Sequence, residues 1–190
     1  GFTAVRLELA GALDDEMKAR GECAPYRYPQ EVLGRISSLV LASKKAAGTE
    51  MDLVVAANMN LSTDGMTYLA LHCQRNDVTL LENPMALRHL QVQGEACREF
   101  SQPLGFGGDY HVIEDFAQGI KQKIGTVLVP DAGRIGGVTM LARTADLAKK
   151  AKLKMAPVVQ GGPLSLLAVA RSLSGREEVL WVTSPNQEQW

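Results

Sequence analysis

Short apolar runs alternate with longer stretches in which apolar residues recur every three or four positions. From Thr3 to Leu9 apolar and polar residues alternate, the period of two that a half-buried strand needs. Compact apolar runs follow at 53–57, 78–81, 103–106, 126–129, 153–156 and 179–182, each short enough for a buried strand. Between them the period lengthens. Val32, Ile36, Leu39 and Val40 stripe one face of a helix over 31–47. Val138, Leu141, Ala142 and Ala145 stripe another that ends among Lys149, Lys150, Lys152 and Lys154, which reads as a solvated helix end. Further helices are expected from Ser62 or Thr63, either of which suits a cap, to Cys73, and over 86–100, 112–121 and 163–173.

About seven strands separated by six helices must run parallel through right-handed crossovers. The fold class expected is therefore α/β, and a repeat of roughly 25 residues suits a barrel or a doubly wound sheet. Periodicity alone does not choose between them. No GxGxxG follows the first strand, and GRIGG at 133–137 lacks the Gly-Lys-Ser or Gly-Lys-Thr ending of a phosphate loop, so it reads as a turn into a helix. The segment 10–29 is long and mostly polar, which suits an active-site loop or a mobile insertion. Residues 1–183 are expected to form one domain, with 184–190 as a polar tail that frays.

Composition narrows the function classes. With 20 basic and 21 acidic residues among 190, no broad field points to nucleic acid. No apolar run reaches the roughly 20 residues of a membrane span, and the first residues lack a signal-peptide layout. Cys23, Cys73 and Cys97 are odd in number and have no CxxC spacing, which fits free thiols in a reducing, cytoplasmic setting. Chemistry concentrates at strand ends: Glu82 lies two residues before Pro84, and Asp131 directly follows Pro130. In a β/α barrel all strand C-termini open onto one face, where catalytic groups collect. His72 and His89 fall on expected helices and read as surface or packing residues, whereas His111 follows Asp109 at a strand end. The Gly161–Leu166 turn reads equally as an anion-binding helix start or a plain tight turn.

The pieces GFTAVRLEL, VVAANMN, LLENP, GFGGD, VPDAGRIGGVT and MAPVV, in this order, resemble the barrel domain of the enolase superfamily, in its mandelate racemase and muconate-lactonizing group. The resemblance spans Gly1 to about Leu173. It implies a parallel, TIM-like β/α barrel, here incomplete, because the capping domain and the first barrel strand of the family have no counterpart in the sequence. It also implies proton abstraction next to a carboxylate, with Mg2+ held by three strand-end carboxylates to stabilise the enediolate. By that resemblance the metal ligands fall on Ala56, Glu82 and Asp109, so one is missing and Mg2+ binding is expected to be weak or lost. Asn58 keeps the family's Asn and offers an amide oxygen; with His111, singled out by its place at a strand end, it is a candidate substrate-binding residue. The family's Lys-x-Lys is Arg6-Leu7-Glu8, which leaves Arg6 and Glu8 in the catalytic positions. Asp131 matches the Asp of an Asp–His dyad, with Val158 in place of the His.

The resulting expectation is a degenerate barrel domain with weak or no proton abstraction. The alternatives are an active Mg2+-dependent lyase, dehydratase or racemase with a rearranged site acting on a small carboxylate-bearing molecule, and a binding module completed by a homo-oligomer or partner chain.

Overall fold

Strands form where the sequence is short and apolar on both faces, and helices where one apolar stripe faces them. The computed structural model describes residues 3–9, 30–58, 61–86 and 89–184. It divides into two compact units, Gly1–Leu104 and Gly105–Trp190. The 10–29 loop, Cys23 and residues 185–190 of the polar tail lie outside the described residues.

In the first unit the order is β1 (Ala4–Glu8), α1 (Gln30–Ala47), β2 (Asp52–Ala56), α2 (Thr63–Arg75), β3 (Leu80–Glu82) and α3 (Leu90–Ala96). β1 pairs with β2 and β2 with β3, both in parallel. Leu81 N donates to Pro103 O at 3.1 Å, so the chain entering the next strand runs alongside β3. β2 is buried at four of its five positions, as expected for a parallel strand covered on both faces. Ile36 and Val40 of α1 share a core with Leu53 and Val55 of β2 and Met66, Leu69 and Cys73 of α2. Burying side chains of this size contributes about 1.5–3 kcal/mol each, and together they fix which helix faces turn inward. Ser62 is the N-cap of α2, accepting from Gly65 N at 3.2 Å.

In the second unit, which begins at the second residue of β4, the order is β4 (Leu104–Phe106), α4 (Ile113–Gln122), β5 (Val127–Leu128), α5 (Val138–Ala151), β6 (Lys154–Met155) and α6 (Pro163–Ser172). β4 pairs with β5 and β5 with β6, again in parallel. Phe106, Tyr110 and Phe116 form a buried aromatic group, with the Tyr110 and Phe116 rings edge-on at 4.9 Å. Gly107 lies between them in the chain at φ +108°, and a Cβ there would stand 2.2 Å from Phe116 Cε1. α4 and α5 each end on a left-handed lysine, Lys123 and Lys152.

Two elements differ from the periodic reading. The run at 179–182 forms isolated parallel bridges, Met155 with Val179 and Val158 with Thr183, where a seventh strand was expected. Its backbone still bonds regularly, Leu180 N to Met155 O at 2.9 Å and Thr183 N to Pro157 O at 2.9 Å, but β6 spans only Lys154–Met155 and cannot extend the ladder. α3 covers 90–96 where a helix over 86–100 was expected. His89 N bonds Ala86 O before it, and Arg98 and Glu99 close short turns after it. No helix among the described residues is long and apolar enough to cross a membrane.

Candidate functional site

β1, β2 and β3 end level with one another. In the parallel register Glu8 pairs with Ala56 and Ala56 with Glu82, so these three residues form one row across the strand ends and point to one face. Arg6, two residues before Glu8, shares that face.

The row is organised around Arg6. Its Nε donates to Glu82 Oε2 at 2.7 Å, and its Nη1 pairs with Glu8 Oε1. Asn58 Nδ2 donates to the other Glu8 oxygen at 2.8 Å. A carboxylate only accepts, so the amide nitrogen of Asn58, and not its oxygen, faces this site. Asn58 reaches it from a left-handed backbone, φ +50°, a conformation asparagine tolerates better than most residues. Glu8 is therefore held by an ion pair at one oxygen and a hydrogen bond at the other, and Arg6 links two carboxylates.

Glu82 is fully buried, and its Oε1 has no hydrogen-bond partner among the described residues. Burial pushes its carboxyl above the usual carboxylate range, while the charge and the hydrogen bond of Arg6 pull the other way. A guanidinium is a poor base, so the chemistry of Arg6 here is charge compensation and not proton removal. The contact joins residues 76 positions apart in sequence. Sequence reasoning missed it, because the contact depends on the register of β1, β2 and β3.

The second unit holds Asp109, His111 and Asp131. Asp131 is 7% exposed, and its Oδ1 accepts from Gly133 N at 2.9 Å and from Arg134 N at 3.0 Å. This is an Asx-type turn lock, in which the side chain replaces a missing backbone acceptor. The backbone of Asp131 bridges Val158, so the structure brings together the two positions that a dyad would use, with an apolar side chain at the second. Asp131→Ala is expected to lower stability by about 1–2 kcal/mol by orphaning two amides, and Asp131→Asn to lose less because it keeps an Oδ1 acceptor. Urea denaturation of the two variants reads this, and equal losses would sink the turn-lock assignment.

Asp109 is partly buried in the loop after β4, and His111 is exposed just before α4. Burial, with the charges of Asp109 and Asp115, pushes the Tyr110 hydroxyl upward. Glu82 and Asp109 belong to different units. Among the described residues no group of three or more His, Cys, Asp or Glu is arranged to hold a metal ion. Elsewhere the polar groups serve packing. His72 Nε2 lies 3.0 Å from Ser37 O and ties α2 to α1. The Cys73 thiol is buried and pushed up to about 12, which leaves almost no thiolate for nucleophilic work.

Solved structures share this fold. A mandelate racemase/muconate lactonizing enzyme-like protein from Rubrobacter xylanophilus superposes with a TM-score of 0.83 at 20% identity, over 96% of this chain and 45% of its own. A racemase from Streptomyces coelicolor, solved with bound magnesium, gives 0.72 at 21% identity over 95% of this chain and 52% of its own. L-Talarate dehydratase from Polaromonas sp., complexed with Mg and L-glucarate, gives 0.67 at 21% identity over 96% of this chain and 44% of its own. The chain thus spans about half the length of these proteins. Their fold class is the parallel β/α barrel, which this chain contains in part. The family described as Enolase C-terminal domain-like matches residues 1–188, and the chain belongs to it.

Proposed function

We propose that the chain is a degenerate enolase C-terminal-like domain, with weak or no ability to remove a proton next to a carboxylate, and with Mg2+ binding weakened or lost. The observation that carries this reading is the Arg6–Glu82 pair in the Glu8–Ala56–Glu82 row. Proton abstraction beside a carboxylate needs a base that can give up and retake a proton, and a cation that stabilises the developing charge. Arg6 is not such a base, and it occupies the only buried carboxylate of the row. Mg2+ requires a near-octahedral set of oxygens. The oxygens available in the first unit, from Glu8 and Glu82, are already shared with a guanidinium, and Ala56 supplies none. The described residues of the first unit therefore offer the ion too few free oxygens, which supports the reading.

The named relatives suggest the class of molecule to test, since one of them was solved with a sugar acid. The test is proton exchange in heavy water, with the full chain, millimolar Mg2+ and a panel of hydroxy and sugar acids including L-glucarate. The expected result is deuterium uptake at the α-carbon no faster than in buffer. Mg2+-dependent uptake with any of them would establish the alternative, an active lyase or racemase with a rearranged site. The buried, unoxidised Cys73 thiol supports a reducing, cytoplasmic setting for the domain.

A further inference from the structure

Adjacent strands lie about 4.8 Å apart, so a bond from a β1 side chain to a β3 side chain has to cross β2. Arg6 makes that bond. Its path runs over the β2 end of the sheet face, where Ala56 is fully buried and contributes only a methyl group. A carboxylate at position 56 would stand beneath the guanidinium, between Glu8 and Glu82. Glu82 Oε1 is also fully buried and has no hydrogen-bond partner among the described residues.

We infer that the strand-end row Glu8–Ala56–Glu82 is a cation site whose resident cation is the Arg6 side chain, and that exchanging Arg6 for a neutral residue while placing a carboxylate at 56 converts it into a divalent-cation site. The exchange conserves local charge: one guanidinium with two carboxylates becomes one dication with three. All three ligands then come from consecutive strands of one unit in a single register row. Either change alone leaves the balance wrong. Ala56→Asp adds a third carboxylate to the guanidinium, which stays in place. Arg6→Met leaves two carboxylates with a gap between them, too few oxygens to hold Mg2+ firmly. The inference rests on the reading that native Mg2+ binding is weakened or lost, but its test separates the two.

The test is calorimetric titration of Mg2+, the metal alone, into the full chain and into Arg6→Met, Ala56→Asp and the double variant, with thermal melts on the same samples. The parent and both single variants are expected to bind with a Kd no tighter than about 10 mM. The double variant is expected to bind near or below about 1 mM, with a midpoint that rises by several degrees at 10 mM Mg2+. If the double variant is unfolded without metal, Mg2+-induced folding followed by circular dichroism is the same readout. A folded double variant that ignores Mg2+ overturns the inference and leaves the proposed function standing. So does a double variant that stays unfolded at 10 mM Mg2+ while both single variants fold. Submillimolar binding by the parent, with Arg6 in place, overturns the resident-cation assignment and the loss of native metal binding together.

Discussion

Arg6→Met is expected to lower stability by about 3–5 kcal/mol at neutral pH, because it strands a buried carboxylate without its partner. Glu82 has no exposure, and Arg6 supplies both its nearest positive charge and its hydrogen bond. The loss should depend on pH with a definite sign. Burial already raises the folded-state pKa of Glu82 above its unfolded value. Between the two values the folded state holds a proton that the unfolded state has released, so the Glu82 contribution is greatest at acidic pH and falls as pH rises through that window. Removing Arg6 removes the two influences that hold the folded value down, so the window extends to higher pH. The Arg6→Met penalty should therefore be larger at pH 8 than at pH 5. Adding Glu82→Gln should flatten the difference, since an amide does not titrate. Urea denaturation of the parent, the single variant and the double variant at both pH values measures this. A penalty that is the same at both pH values, or that grows towards acid, would falsify the buried ion-pair account.

Gly107→Ala should cost the second unit about 2–5 kcal/mol, the sum of overpacking and a backbone conformation closed to L side chains. At φ +108° an alanine is strained before any contact is considered. Its Cβ would then meet Phe116 at 2.2 Å from Cε1 and 2.7 Å from Cζ. A ring edge can often swing aside, but Phe116 is fully buried between Phe106 and Tyr110, with centroids 6.4 and 4.9 Å away. Phe116→Leu in the Gly107→Ala background should recover the steric share and leave the backbone share. Thermal melts of the two variants separate them, and a Gly107→Ala protein within about 0.5 kcal/mol of the parent would show that the ring is free to move.

Much of the fold was legible because period and length suffice for it. The Val32–Ile36–Val40 stripe, the cap at Ser62 and the apolar strand runs each specify local structure without any long-range information. Where local signals end, so did the reading. The 179–182 run looks like a strand by composition, yet a two-residue β6 gives it too little to pair with. After Ala96, the end of α3, the helical pattern expected over 86–100 is cut by turns that no single residue announces. At the site, the placement of Glu82 and Asp131 at strand ends was readable, and their partners were not. That Arg6 crosses β2 to reach Glu82 depends on register, which sequence does not state. The Asx turn at Asp131 was readable in principle, from an Asp two residues before a Gly, but the pattern at a strand end also suits a catalytic group.

The Arg6 guanidinium differs from an exchangeable ion in one further respect. Because it is part of the chain, its effective concentration at Glu82 is set by side-chain geometry and does not change with dilution or with the supply of ions. A chelator has nothing to remove, and the strand ends acquire their charge balance as the chain folds. The same tether fixes what the cation can offer. A guanidinium presents a planar fork of N–H donors, here directed at carboxylates of the same chain, and it has no coordination position that an incoming oxygen can take by displacing water. On the proposed reading, a site that cannot lose its cation also cannot open it to a substrate.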